Sequence, residues 1–258
     1  MSRFEDYSTR YKFIRMRREG GILEMTFHTD GGPLRWNIHV HGEMEQAFLD
    51  VGRDQENEVV ILTGCGGEFT GPAVQPGGHR LAGTMTSAGW DHLYWEGRRL
   101  LHNLLDIEVP MIAAVNGPAT RHAEIPVLCD IVLASENASF QDSAHFNGGL
   151  VPGDGMHVVF PALLGANRGR YFLLTAQTLP ARQAQDWGLV HEVMAEDALL
   201  PRAWTLARQL LQQSRLVRRY TRVLLTQDLR RRMHDLLGYG LALEGLAATD
   251  RPASPPAV

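Results

Sequence analysis

Apolar and polar positions alternate near the start of the chain in a way that predicts a β-hairpin. Phe13-Ile14-Arg15-Met16-Arg17 and Ile22-Leu23-Glu24-Met25-Thr26-Phe27 flank the turn sequence Glu19-Gly20-Gly21. The period then changes: Met44, Ala47, Phe48 and Val51 fall at helical spacing and predict a helix over Glu43–Val51. Val59-Val60-Ile61-Leu62-Thr63, stopped by Gly64, is a continuous apolar run, the pattern of a strand buried on both faces. From Gly64 to about Gly83 no period is visible, and a stretch of this length inside a domain points to a functional loop. A helical stripe follows in Leu93, Gly97, Leu100, Leu101, Leu104 and Leu105, opposite Arg98, Arg99 and Asn103. Pro110 introduces the strand Met111-Ile112-Ala113-Ala114-Val115, and Ile131-Val132-Leu133-Ala134 and Ala138-Ser139-Phe140 read as two more. Strand–helix–strand repetition predicts an α/β layered fold with strand-end loops as its working face. Beyond about Ala181 the pattern turns helical, with one stripe from Leu199 to Leu211 and another from Leu229 to Glu244. The expected organisation is a core over residues 1–195, a helical subdomain over 196–250 and a disordered tail over 251–258, where Pro252-Ala253-Ser254-Pro255-Pro256 ends any pattern.

Composition narrows the class without naming an activity. A net charge of −4 gives no pull toward nucleic acid or anionic membrane, and all of the 25 basic side chains except Lys12 are arginine. Cys65 and Cys129 lie in or beside apolar strands without metal spacing, as two reduced, buried thiols would. The polar N-terminus and the lack of any apolar run near the roughly 20 residues of a membrane span place the expected protein in the cytoplasm.

Histidines and carboxylates gather where the strands are expected to end. His145 precedes the turn Pro152-Gly153-Asp154-Gly155, so an imidazole and a carboxylate stand nine positions apart on one loop. A carboxylate that accepts from one imidazole nitrogen leaves the other basic, which is the makeup of a water-activating base. Asp154 equally suits a cap for a helix running from about Gly155 to Leu163, and spacing does not choose between these roles. His122 lies on a loop between strands, and Trp36 follows the hairpin with an indole N–H that suits either a carbonyl oxygen or a packed edge. Glu244 falls four residues after Gly240 and three after Leu241, on the apolar face of its helix. An ionised carboxylate there needs partners or a wet cavity. His39 and His41 alternate as strand neighbours would, but no third ligand stands at zinc spacing, so no metal is expected. Nucleophile-elbow, dinucleotide-fingerprint and phosphate-loop motifs are absent, which leaves water or proton chemistry run by histidine and carboxylates.

Three runs carry a family resemblance: Glu108-Val-Pro-Met-Ile-Ala-Ala-Val-Asn-Gly117, Cys129-Asp-Ile-Val-Leu-Ala-Ser-Glu-Asn-Ala-Ser-Phe140 and Gly149-Leu-Val-Pro-Gly-Asp-Gly155. With Gly165-Ala-Asn-Arg-Gly-Arg170 and Ala181–Val190 they resemble the crotonase, or enoyl-CoA hydratase/isomerase, superfamily over nearly the whole chain. The resemblance implies a spiral of ββα units with a C-terminal helical trimerisation region, assembled as trimers or dimers of trimers. The chain departs from the acyl-CoA enzymes in two places. Phe69-Thr70-Gly71-Pro72-Ala73-Val74 stands where they carry Ala-Gly-x-Asp, and Arg121-His122-Ala123 replaces their glycine run. His145 stands where hydratases carry a glutamate, while Glu124 matches their second glutamate by spacing. These departures resemble the branch of 6-oxocamphor hydrolase and related β-diketone hydrolases, whose matching positions are Trp36, His122, His145, Asp154 and Glu244.

The branch implies a retro-Claisen hydrolase that opens a cyclic β-diketone with water and needs no cofactor. In that reading His145, oriented by Asp154 and helped by Glu244, activates water. His122 and Trp36 hold a carbonyl oxygen, and Ala73 and Phe146 line the substrate pocket. Two rivals remain: an acyl-CoA hydratase or isomerase using Glu124, and a non-catalytic oligomeric module. The partners expected are a small diketone and further copies of the chain, not nucleic acid or membrane.

Overall fold

The computed structural model describes residues 2–76 and 85–250; the tail expected over 251–258 and part of the Gly64–Gly83 loop lie outside them. In chain order the elements are α1 (Phe4–Tyr7), β1 (Ile14–Glu19), β2 (Ile22–Phe27), α2 (Ile38–Arg53), β3 (Val59–Thr63) and α3 (Ser87–Leu105). There follow β4 (Met111–Val115), α4 (Glu124–Val127), β5 (Ile131–Ser135), β6 (Ser139–Phe140), α5 (Met156–Leu164) and α6 (Ala166–Thr175). Last come β7 (Leu179–Pro180), α7 (Ala181–Asp186), β8 (Glu192–Met194), α8 (Glu196–Leu210) and α9 (Arg215–Ala248).

Six strands form one sheet in the order β1-β2-β3-β4-β5-β8, antiparallel only at the hairpin. Gly20 and Gly21 both take positive φ, at 56° and 84°, which is the geometry a tight two-residue hairpin turn requires. Because side chains alternate, each parallel strand feeds two cores. Val60, Leu62, Met111, Ala113 and Val132 face the larger core with α2 and α3. Val59, Ile61, Ile112, Ala114 and Leu133 face Leu199, Ala203, Trp204 and Ala207 of α8. Helix α9 gives Met233, Leu237 and Leu241 to the larger core.

A second, broken ladder runs beside the sheet. Arg35 bridges Gly71, Thr70 bridges Ala119, Ala119 bridges Phe140, and Ser139–Phe140 pairs with Leu179–Pro180. β2, β3, β4 and β5 are therefore each followed by a very short rung and then by a helix, so the repeat is ββα. Trp36, His122 and His145 all come shortly after a rung of this second ladder, which is why residues far apart in sequence meet at one end of it.

Several expectations need adjustment. Helix α2 starts at Ile38 rather than Glu43, because the Asn37 side chain accepts from the backbone N–H of His39 and Val40 at 2.8 and 3.2 Å and caps the helix early. His39 and His41 are thus helical, His39 exposed and His41 buried. Asp154 does not cap α5: Gly155 occupies the N-cap with φ 108° and no side chain caps that end. Both cysteines are free, but only Cys129 is buried; Cys65 sits half-buried in the turn after β3. Among the described residues no helix is long and apolar enough to cross a membrane.

Candidate active site

A cavity of about 590 Å³ opens where the second ladder ends, a volume suited to a small organic molecule. Trp36, Ile38, Met85, Trp90, Leu93, Leu150 and Leu241 supply most of its apolar wall. His122, His145, Asp154 and Glu244 meet at its polar end, with Arg121 and His41 alongside. Four of the residues singled out from sequence are therefore brought together with Trp36. Phe146 and Ala73 are not: both are exposed, and neither lines the cavity among the described residues. With His145 turned inward, its neighbour Phe146 points to solvent, 55% exposed. Ala73 lies on a segment whose next residue, Val74, is tied by its N–H to Ser143 Oγ at 3.0 Å.

His145 is held from both sides of its ring. Nδ1 lies 2.6 Å from Asp142 Oδ1, while Nε2 faces Asp154 Oδ2 at 3.3 Å and Glu244 Oε1 at 3.5 Å. The orienting carboxylate on Nδ1 is therefore Asp142, not Asp154. Sequence reasoning missed Asp142, and its only available signal was a carboxylate three positions before the histidine in an irregular turn. Burial alone depresses the His145 pKa, but Asp142, Asp154 and Glu244 outweigh it and lift the group well above its ordinary value. Burial likewise opposes ionisation of Asp154, yet the His145 charge and hydrogen bond keep it well below the usual carboxylate range. Glu244, desolvated and only partly relieved by His145, is pushed up to about 7.

Helix α9 reaches this point because two glycines let it touch the turn. A Cβ on Gly153 would lie 2.2 Å from the Gly240 carbonyl oxygen, and one on Gly240 would lie 2.4 Å from the Gly153 carbonyl oxygen. This backbone-to-backbone contact sets Glu244 opposite Asp154. The Trp90 indole braces the helix from α3, donating to the Leu241 carbonyl at 3.0 Å.

His122 forms the other pole. Its backbone sits in the left-handed region, φ 49°, a strained choice for a histidine and one that recurs where function holds a residue in place. Trp36 stacks on its ring with centroids 4.1 Å apart. Burial lowers the His122 pKa to about 4, and burial with the Asp154 charge raises Glu124 well above its ordinary value. The 2.7 Å contact between His122 Nδ1 and Glu124 Oε1 thus joins an imidazole that is neutral near pH 7 to a carboxyl group whose ionisation burial opposes. The same nitrogen faces Asp154 Oδ2 at 3.5 Å, so His122 Nδ1 lies between two carboxyl groups.

His122, Glu124 and Asp154 also present donor atoms within 4.8 Å of one another. Glu124 Oε1 and His122 Nδ1 already contact each other at 2.7 Å and burial opposes a charge on Glu124, so the trio fits a proton-sharing role better than a metal. A further polar pair missed from sequence is His41 and Glu96, 3.2 Å apart, with the His41 ring 5.6 Å from that of His122.

The His122 shift has a thermodynamic consequence. The unfolded chain takes up a proton near 6.5 and the folded protein only near 4. The stability this group contributes is thus complete above 6.5 and is lost as pH falls toward 4. Between pH 7 and 4 the wild type is expected to lose about 3 kcal/mol more unfolding free energy than His122→Asn, whose side chain tolerates the same backbone. Denaturant titrations at the two pH values measure this, and parallel losses in both proteins would contradict it.

With the site described, the likenesses to known proteins take on meaning. The family model described as enoyl-CoA hydratase/isomerase matches residues 17–241. The chain belongs to this family. Among its curated enoyl-CoA hydratase/isomerase relatives, the carnitinyl-CoA dehydratase of Citrobacter koseri is 30% identical, over 77% of this chain and 74% of that one. A probable peroxisomal enoyl-CoA hydratase of Arabidopsis thaliana is 28% identical, over 80% of this chain and 76% of that one. Among solved structures, a β-diketone hydrolase from the cyanobacterium Anabaena, bound to (S)-3-oxocyclohexyl acetic acid, is 48% identical with a TM-score of 0.89. It covers 95% of this chain, which covers 97% of it. An enoyl-CoA hydratase/isomerase of Mycobacterium paratuberculosis shares the fold at TM-score 0.84 and 24% identity, over 93% of this chain and 95% of that one. The fold of this enoyl-CoA hydratase/isomerase family member is thus the crotonase fold.

Proposed function

We propose that this protein hydrolyses a carbon–carbon bond of a cyclic β-diketone by a retro-Claisen reaction, giving a keto acid. The observation that carries this reading is the pairing of a carboxylate-flanked His145 with a neutral His122 across one small cavity. The 48% identity to the Anabaena β-diketone hydrolase supports it.

Water held at His145 Nε2 between Asp154 and Glu244 loses a proton to that group as its oxygen bonds to one carbonyl carbon. The accepting unit is the coupled Asp154–His145–Glu244 group rather than a lone imidazole, and it gains an open acceptor as Glu244 ionises near 7. The tetrahedral adduct then expels the carbon between the two carbonyls as an enolate. His122 Nε2–H and the Trp36 indole N–H donate to the enolate oxygen, and the proton taken from water returns to carbon. Diketone plus water balances keto acid. One preorganised oxyanion donor of this kind is worth about 3–4 kcal/mol in the barrier.

A hydratase reading leans on Glu124, which the relatives' names make worth testing. In this chain Glu124 is fully buried, does not line the cavity and is bonded to His122, so a thioester in the cavity would meet the imidazole instead. The exposed apolar side chains Tyr171, Leu174, Tyr220, Leu224 and Leu225 on α6 and α9 support assembly with further copies.

An ultraviolet assay against bicyclic β-diketones and crotonyl-CoA tests the proposal. Diketone loss that disappears in His122→Ala, with crotonyl-CoA untouched, is the expected result. Hydration of crotonyl-CoA with all diketones inert would overturn it.

A further inference from the structure

Resting on the proposed reaction, the geometry points to Arg121 as the subsite that receives the carboxylate released when the ring opens. The chemistry requires such a group. A neutral diketone enters, and an anion appears beside Asp142, Asp154 and Glu244, where a new carboxylate meets like charge in a desolvated space. His145 is already held among those three side chains and has little attraction to spare.

Arg121 is the cation available. It lines the cavity one residue before His122, and its Nε is buried without a hydrogen-bond partner. Among the described residues it forms no salt bridge. Arg18, Arg218 and Arg222 are paired, with Asp54, Glu58 and Asp130, and Arg98, whose Nε is likewise without a partner, does not line the cavity. A buried guanidinium N–H without a partner at a cavity wall is costly unless a ligand completes it. Desolvation of Arg121 fits that cost, depressing its pKa against the opposing pull of Asp154 and Asp142. Its backbone is firmly placed, since Thr120 bonds the Thr70 carbonyl through both its N–H, at 2.8 Å, and its hydroxyl, at 3.2 Å. The guanidinium fork matches a carboxylate with two N–H donors, whereas a diketone offers only neutral carbonyl oxygens.

Two consequences separate this role from a structural one. Product should bind better than a neutral molecule of the same shape, and removing the guanidinium should weaken product far more than substrate. The test is calorimetric titration of (S)-3-oxocyclohexyl acetic acid and its methyl ester into wild type, Arg121→Gln and Arg121→Lys, with diketone turnover measured on the same preparations. The acid should bind wild type at least about tenfold more tightly than the ester. Arg121→Gln should weaken the acid by about 10- to 100-fold, with the diketone KM moving less than about threefold and Arg121→Lys recovering part of the loss. If Arg121→Gln does not fold, the Lys variant and the wild-type preference for acid over ester carry the test. Equal acid binding by wild type and both variants overturns the assignment, as does failure of wild type to bind the acid while it still cleaves diketones. Absence of both binding and turnover overturns the reading of function beneath it.

Discussion

Under the proposed retro-Claisen reaction, replacing His145 by glutamine is expected to lower the rate of diketone cleavage by about ten-thousandfold, with KM little changed. Glutamine keeps a polar side chain of moderate size, but no atom of it takes up a proton near neutral pH. The loss is compounded by what surrounds the ring. Asp154 and Glu244 approach Nε2 at 3.3 and 3.5 Å, so removing the imidazolium leaves two carboxyl groups facing each other with no cation between them. One will then stay protonated to relieve the repulsion, and the surviving carboxylate is no longer poised by a neighbouring cation. Steady-state loss of diketone absorbance measures the rate, and circular dichroism checks the fold. A variant retaining more than about a tenth of wild-type turnover would remove His145 from the mechanism, because a lost acid–base group costs at least a hundredfold.

Asp142→Asn should cost about a thousandfold in kcat while leaving substrate affinity nearly intact, by the logic that governs histidine–aspartate pairs elsewhere. At 2.6 Å from Nδ1, the carboxylate accepts the ring proton and keeps it there. An asparagine turned with its NH2 toward the ring would instead demand a lone pair on Nδ1, leaving a neutral ring with its proton on Nε2 and no imidazolium between Asp154 and Glu244. A second readout distinguishes this from simple disruption. Asp142 is one of three carboxylates that lift His145, so its neutralisation lowers the histidine pKa. Asp142 also raises Glu244, so the ionisation that opens the coupled acceptor, and with it the rising limb of kcat/KM, moves to lower pH. An unmoved limb with the same drop in rate would assign Asp142 a structural role only.

The parts of this molecule that were legible in sequence are those set by a period. β3 and β4 are continuous apolar runs because the parallel sheet is covered on both faces. Glu244 stands out because a carboxylate interrupts an apolar stripe, and in the fold it lies buried against His145. What the sequence hides is pairing across irregular backbone. Asp142 and His145 meet through a turn with no period, and His41 meets Glu96 across 55 positions. The early start of α2 was concealed because His39 and His41 mimic strand alternation while Asn37, the true signal, is one polar residue among several. Phe146 shows the converse: next to His145 in the chain, it turns to the other side of the backbone and is exposed.

The mutual contact of Gly153 and Gly240 makes one dimension of the site independent of side-chain choice. Asp154 and Glu244 descend from backbones that already touch, so the gap between them is not something a change of rotamer elsewhere can widen. The opposite wall is of another kind. Ile38, Met85 and Leu93 reach the cavity through side chains that turn about their own bonds and can be exchanged without moving a main chain. A ligand of another size is therefore accommodated at that wall, while the spacing of the two carboxyl groups stays as it is.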